Sequence, residues 1–294
     1  DGLDCAQGRL PGEGAERHWF LVSLEPPAVA TTPLHLQQAY PRPAKPVLLA
    51  ELAAVAREIG DELDGNLGET PVDESPTRAS FMLNYPHWLE GTVPLTPRIR
   101  QLLPNGGGFL YPISFKEGNQ LIPGWVLEKR GYAWGLGDWY RKQELPLGVR
   151  INLERTENPS VLAVSYEKVP RKGEWVREAK AADAKLTFEM QKRAYTCRYD
   201  RYLLLNVAEQ KPLDELAERY AAEGKSLDSL MLEIVPELIK LSSQGVFQAK
   251  TLYAAVNLVR RSGTLPIFVE LMRRACFDPI GSGNWTYDPD LKDV

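Results

Sequence analysis

The residues with the clearest chemical potential lie near the C-terminus, in a stretch with helical periodicity. Tyr253, Asn257, Arg260 and Arg261 follow at i, i+4, i+7 and i+8, which places them on one face of a helix. Asparagine can form two hydrogen bonds with adenine, arginine can do so with guanine, and tyrosine can bond to a phosphate or stack. The spacing is therefore typical of a helix that contacts nucleic acid.

The neighbouring face of this helix is apolar and would pack into a core. Its residues recur at i, i+3, i+4 and i+7: Leu252, Ala255, Val256 and Val259. If that stripe faces the core, the side carrying Asn257 faces outward. Lys250 and Thr251 lie at the N-terminal end, where free N–H groups and the helix dipole favour a phosphate.

Positive charge surrounds the same helix. Residues 250–274 carry five Lys or Arg residues and one acidic residue, Glu270. A glycine turn at 281–284 then predicts a β-hairpin. The candidate DNA-binding residues are Lys250, Thr251, Tyr253, Asn257, Arg260, Arg261, Arg273, Arg274, Asn284 and Trp285. The alternative is an ordinary amphipathic helix with basic ends, packed inside a domain.

The elements around these residues have the order of a winged helix-turn-helix. Four helices are predicted before the hairpin, over 199–210, 213–222, 227–241 and 249–261. With Leu216–Arg219, Lys250–Ala255 and Phe277–Trp285, this block resembles the HARE-type winged-helix domains of transcription and chromatin-associated proteins. The resemblance implies a DNA-binding domain with a recognition helix and a β-ribbon.

The middle of the chain has the pattern of an all-β unit. Between residues 81 and 178, short apolar runs alternate with Gly, Pro and Asn turns, which predicts a small barrel or sandwich. Tryptophans supply a large apolar surface for such a core. They are Trp88, Trp125, Trp134, Trp139 and Trp175, and the predicted strands are 109–115, 125–129, 132–136, 149–153, 161–166 and 174–177.

Part of this block is similar to plant-type DNA-binding pseudobarrels. The similarity lies in Trp134–Tyr140, Leu145–Val149 and Ile151–Arg155, where a strand leads into a short tryptophan-containing helix and then into another strand. Val149 stands where that pattern has an acidic residue. The other interpretations of this block are a structural barrel and a protein-docking module.

The N-terminal quarter differs in charge from the rest. Residues 1–75 hold 5 basic and 13 acidic residues, whereas the remainder holds 30 basic and 26 acidic ones. An acidic arm would repel a polyanion and could instead bind other protein subunits. The predicted organisation is an acidic Pro/Gly-rich arm with one helix (1–80), a β-rich domain (81–180) and a winged-helix domain (185–294).

Several classes of protein are not expected. No apolar run approaches the roughly 20 residues of a membrane span, and no N-terminal secretory pattern is visible. Cys5, Cys197 and Cys276 are too few and too far apart for a disulfide framework, which favours a reducing, cytoplasmic compartment. No zinc-type spacing, phosphate-binding loop or nucleophile motif is present, so we expect no metal, no cofactor and no catalytic residue.

The sequence therefore predicts an α+β multidomain protein, in which a tryptophan-rich small β-barrel precedes a winged helix-turn-helix domain. The expected function is non-enzymatic binding of double-stranded DNA, as a transcription regulator or as the DNA-targeting subunit of a larger complex. Two alternatives remain open at this stage. One is a structural or adaptor subunit that binds proteins, and the other is a nucleic-acid enzyme with an unrecognised active site.

Overall fold

The computed structural model describes residues 5–8, 18–21, 32–44, 46–65, 76–104 and 110–292. The acidic Pro/Gly-rich arm predicted at 1–80 lies only partly within these residues. Its one predicted helix is confirmed at Ala50–Ile59 and is followed by a 3-10 turn at Glu62–Asp64.

The elements alternate between strands and short helices. The strands are β1 (Cys5–Gly8), β2 (His18–Leu21), β3 (Arg78–Met82), β4 (Thr92–Pro94), β5 (Leu110–Glu117), β6 (Gln120–Leu127), β7 (Tyr132–Trp134), β8 (Arg150–Arg155), β9 (Val161–Tyr166), β10 (Lys168–Ala182), β11 (Lys185–Cys197), β12 (Leu205–Val207), β13 (Val246–Gln248), β14 (Phe277–Gly281) and β15 (Asn284–Tyr287). The helices are α1 (Ala50–Ile59), α2 (Tyr85–Glu90), α3 (Pro97–Leu102), α4 (Gly137–Lys142), α5 (Gln210–Ala222), α6 (Leu227–Ile239), α7 (Ala249–Val259) and α8 (Thr264–Arg273).

A seven-stranded, nearly closed barrel-like sheet forms the middle of the chain. Its strand order is β3-β8-β9-β5-β6-β7-β4, and the β5–β9 pair is parallel whereas the other pairs are antiparallel. Alternate residues of β8 (Ile151 and Leu153) and of β9 (Leu162 and Val164) are buried in its core. The predicted small barrel is therefore confirmed as a barrel-like sheet.

Tryptophans contribute to this core less uniformly than the sequence predicts. Trp125 and Trp139 are buried, and Trp88 is half-buried between two apolar clusters. Trp134 and Trp175 are exposed, and for these two the core prediction is wrong. Trp125 and Trp134 pair across β6 and β7 and share a face, on which Trp125 packs in a separate small cluster with Leu127 and Tyr132.

Strands β10 and β11 form a long hairpin that the sequence only partly predicts. They pair antiparallel, and β12 joins β10 in parallel. The turn uses Asp183 and Ala184 with φ of +49° and +62°, the left-handed geometry that suits the twist of a hairpin. Next to the turn, Ala179 and Phe188 pack into the helical core, so the turn end is anchored and the open end leads to the barrel.

The helix predicted over 199–210 is wrong. Tyr202 N donates to Asp200 Oδ1 at 2.8 Å, which closes a turn, and the chain then enters β12. The side chain of Asn206 donates to Glu178 of β10, which helps to hold β12 beside the hairpin.

The C-terminal part contains α5 to α8 and a three-stranded sheet of order β13-β15-β14. The predicted hairpin at 276–287 is confirmed as β14 and β15. Helix α7 is enclosed by contacts from α1, α2, α5, α6 and α8, and every one of its residues is buried.

The predicted boundary between 180 and 185 falls at the turn of the β10–β11 hairpin. One continuous apolar cluster includes Leu52 of α1, Phe188 of the hairpin, Val256 of α7 and Trp285 of β15. The helical part therefore shares its core with the hairpin and with α1.

Candidate nucleic-acid interface

The face of α7 that the sequence selects for DNA contact is inside the protein. Tyr253 and Asn257 are each 1% exposed, and Arg261 is 2% exposed. Asn257 Nδ2 donates to the backbone oxygens of Tyr253 and Ser262, both at 3.0 Å. The prediction that this face points outward is wrong, because a second set of elements covers it.

An acidic segment covers the Arg261 end of α7. The Arg261 guanidinium donates to both carboxylate oxygens of Asp61 at 2.8 Å and to Glu62 at 2.6 Å. Tyr253 donates its hydroxyl hydrogen to Asp61, and His87 Nε2 lies 3.0 Å from Glu62 Oε1. The cation that was expected to meet phosphates is thus neutralised within the chain.

Charge compensation sets the ionisation of this cluster. Burial opposes the charge of Arg261, but Asp61 and Glu62 hold its pKa well above the usual value. Burial would also raise the pKa of Glu62, yet Arg261 and His87 hold it well below its usual range. The cluster is therefore a set of buried, mutually dependent charges.

The N-terminal end of α7 is also occupied by carboxylates. Lys250 Nζ lies 2.5 Å from Asp200 and 2.6 Å from Glu58. Burial would lower the Lys250 pKa, but these two carboxylates raise it. Thr251 donates to the backbone oxygen of Tyr202 at 2.8 Å. Neither side chain is free to receive a phosphate in this arrangement.

The remaining predicted residues do not form a continuous basic face. Arg260 is half-buried over the Tyr40 ring, and Trp285 is a core residue at 1% exposure. Asn284 donates to Gly281 O at 3.2 Å. Arg273 and Arg274 both lie 2.8 Å from Glu270, and Arg273 alone of this pair has a largely exposed side chain.

A different surface has the composition that nucleic acid requires. The open end of the β10–β11 hairpin and the loop after β11 line a groove of about 1120 Å³. This volume exceeds the roughly 300–1,000 Å³ of ordinary small-molecule pockets. Its charged and aromatic lining residues are Arg171, Lys172, Glu174, Trp175, Arg177, Tyr195, Arg198, Tyr199, Arg201 and Tyr202.

Positive charge dominates this groove and its rim. Within 168–177 and 190–202 the chain has eight basic and two acidic residues. Three of these cations are paired with carboxylates: Lys172 with Glu174, Arg193 with Glu178 and Arg198 with Glu167. In the described part of the chain no ion pair engages Arg171, Arg177, Lys192 or Arg201. The groove therefore keeps cations without carboxylate partners, which is what a polyanion needs.

Arg177 and Arg201 lie close enough for the positive charge of each to disfavour that of the other. Burial first, and then the charge of Arg201, lower the pKa of Arg177. The Arg177 Nε is buried and has no hydrogen-bond partner within the structure. A bound phosphate would supply a hydrogen-bond acceptor for Nε and a negative charge between the two guanidinium groups.

Aromatic rings lie among these cations. Trp175 is 66% exposed. Tyr195 and Tyr199 meet edge to face with centroids 5.5 Å apart. This site was not predicted from the sequence, because 174–177 was predicted as a barrel strand and 199–210 as a helix. The signal that could have found it is the interleaving of Lys and Arg with Trp and Tyr through 168–202.

Other kinds of site receive no support. Across the described part of the chain, no cluster of three or more His, Cys, Asp or Glu residues is arranged to hold a metal ion. Among the helices within the described ranges, none is both long and apolar enough to cross a bilayer. Comparison of the chain with models of known protein families and with curated protein sequences gives no match.

Proposed function

We propose that the protein binds DNA, and that the hairpin groove holds the phosphate backbone. The observation that carries the proposal is the pair Arg177 and Arg201, two neighbouring guanidinium groups of the groove that form no ion pair within the described structure. Arginine matches phosphate geometry with several donors, and each neutralised phosphate releases a counterion.

We also infer that residues 227–287 form a winged helix. The support is the order helix, strand, helix, helix and hairpin, together with β13 lying beside β15. In a helix-turn-helix the second helix is the one that enters the major groove. That position belongs to α8, whereas the sequence analysis assigned it to α7.

The N-terminal end of α8 is occupied by Asp64. Its carboxylate accepts from Thr264 N at 2.9 Å, from the Thr264 hydroxyl at 2.7 Å and from Leu265 N at 3.0 Å. A phosphate would use the same backbone donors. We therefore place the DNA contact in the hairpin groove, where the cations are accessible.

The test is fluorescence anisotropy with a labelled DNA of about 20 nucleotides at salt concentrations from about 50 to 200 mM. The variant Arg177→Gln/Arg201→Gln removes two groove cations. The control Lys211→Gln/Lys240→Gln removes two exposed cations from the helical part. We expect the groove variant to weaken binding and to reduce the salt slope by about 0.7–0.9 per lost phosphate contact, and we expect the control to match wild type.

Two outcomes would contradict the proposal. One is the absence of DNA binding by wild-type protein at about 50 mM salt. The other is an equal loss of affinity in the groove variant and in the control, because that would indicate attraction by overall charge.

A further inference from the structure

Trp175 occupies an unusual place for a large apolar side chain. It lies in the groove on β10, opposite Lys192 on β11, and is 66% exposed. Residues paired across two strands share a face, so the indole and the lysine cation are neighbours on the groove side. A folded protein gains little from leaving a tryptophan exposed, and an exposed aromatic ring beside cations is a common feature of ligand surfaces.

The pairs beside Trp175 differ in size. On the same face, the preceding pair is Gly173 and Ala194, and the following pair is Arg177 and Met190. Gly173 and Ala194 contribute almost no side chain, and the Lys192 side chain lies over Gly173, with its Cε 3.7 Å from where a Cβ would stand. One side of the indole therefore faces small residues and a lysine stem, and the other faces the Arg177 pair.

The groove lacks the side chains that pair with adenine edges in a duplex. Asn and Gln are absent from its lining residues, all of which the structure describes. Its contents are cations and aromatic rings. Aromatic stacking requires the face of a base, and a duplex hides that face within its own stack. An unpaired strand exposes base faces and phosphates together.

We propose that the groove binds an unpaired stretch of DNA, with a base stacked on Trp175 and the flanking phosphates held by Arg177 and Arg201. This inference rests on the proposed function and narrows it from DNA to single-stranded DNA. Stacking on an aromatic side chain contributes about 1–3 kcal/mol per base, which corresponds to about 5- to 140-fold in Kd.

The experiment compares three labelled DNAs of about 20 nucleotides: oligo-dT, a duplex, and a strand in which abasic residues replace the central bases. The full-length wild type, Trp175→Ala and Trp134→Ala are measured with each. Trp134 is the control, since it is also exposed but lies on the barrel. Far-ultraviolet circular dichroism establishes that each variant is folded.

We expect wild type to bind oligo-dT more tightly than the duplex. Trp175→Ala should lose about 5- to 140-fold in affinity for oligo-dT and show no change with the abasic strand. Trp134→Ala should match wild type with all three DNAs. Together, these results would support stacking on Trp175 and separate it from charge attraction.

The failures of the two proposals can be told apart. If DNA binding depends on Arg177 and Arg201 but Trp175→Ala binds oligo-dT as wild type does, DNA binding stands and the unpaired-strand inference is overturned. Tighter binding to the duplex would overturn it as well. Oligo-rU is measured in the same assay, and tighter binding to it than to oligo-dT would overturn the assignment to DNA and favour RNA. If no DNA binds at low salt, both proposals fail.

Discussion

Arg261 and Asp61 form a two-point ion pair across 200 residues of sequence, with both nitrogen–oxygen distances at 2.8 Å and neither side chain exposed. The pair joins the turn after α1 to the end of α7. Glu62 and Tyr253 also contact it, so the charges and their hydrogen bonds form one buried network. Removing Arg261 would leave the buried Asp61 carboxylate without its cation.

We expect Arg261→Met to lower the free energy of unfolding by about 3–5 kcal/mol, because Asp61 would remain buried and uncompensated. Arg260→Met is the neighbouring control and should cost about 1 kcal/mol or less, since Arg260 is half-buried and contacts only Tyr40 through its ring and hydroxyl. Urea denaturation measures both. The double variant Asp61→Leu/Arg261→Met should recover part of the loss. Additive losses would show that the two residues are not coupled.

Asp64 should give the protein a distinct dependence on pH. Burial, and then the charge of Asp61, raise the pKa of Asp64 from 3.8 to about 6. The folded protein then takes up this proton at a higher pH than the unfolded chain does. The stabilisation from protonation is complete below about pH 4 and is lost as the pH rises through about 6.

Asp64→Asn removes this titration. Relative to the variant, wild type should lose roughly 1–3 kcal/mol of stability between pH 4 and 7, as measured by urea denaturation at several pH values. Glu62 has the opposite dependence, because its low pKa makes stability fall in acid, but it is present in both proteins. Asp138→Asn is the control, since the Asp138 side chain is fully exposed. If the free energy of unfolding changes with pH in the same way for wild type and for Asp64→Asn, the prediction is refuted.

The tryptophans of the barrel should contribute to stability in proportion to their burial. Trp139 is 3% exposed and contacts Tyr140 and Tyr166, whereas Trp134 is 40% exposed. We expect Trp139→Ala to cost about 3–5 kcal/mol and Trp134→Ala to cost much less. Chemical denaturation of the two variants tests this, and equal losses would mean that exposure does not describe their packing.

The hairpin should hold the chain together even when its turn is cut. A protease site inserted between Asp183 and Ala184 would divide the protein at the predicted domain boundary. We expect the two pieces to elute together in gel filtration and to separate in urea, because β10 pairs with β11 and Arg261 pairs with Asp61. Separation into two folded fragments without urea would favour independent domains.

Local patterns predicted the barrel strands better than the binding surface. Val161–Tyr166 is a strand with the predicted bounds, because its alternation of buried and less buried residues is a local property. Strand β11 was missed although Leu186, Phe188 and Met190 also alternate. Its charged residues and the helices that follow favoured a helical interpretation.

The facial argument for α7 failed for a reason that is not local. Amphipathic spacing identifies a polar face but does not say whether water or another charged segment meets it. Asn257 and Arg261 meet Asp61 and residues of the following turn. The sequence of α7 alone does not predict a partner 200 residues away. The groove could not be predicted for the same reason. It forms only when β10 pairs with β11, which is a contact between separate segments of the chain.

The Asp61–Arg261 pair can form only after the ribosome has synthesised both residues. A ribosome adds about 5–20 residues per second, so Asp61 waits about 10–40 s for its partner to be synthesised. Until then α1 exposes Leu52 and Ile59, which are buried in the finished protein. The carboxylates that follow them would keep this stretch hydrated and resistant to aggregation in the interval.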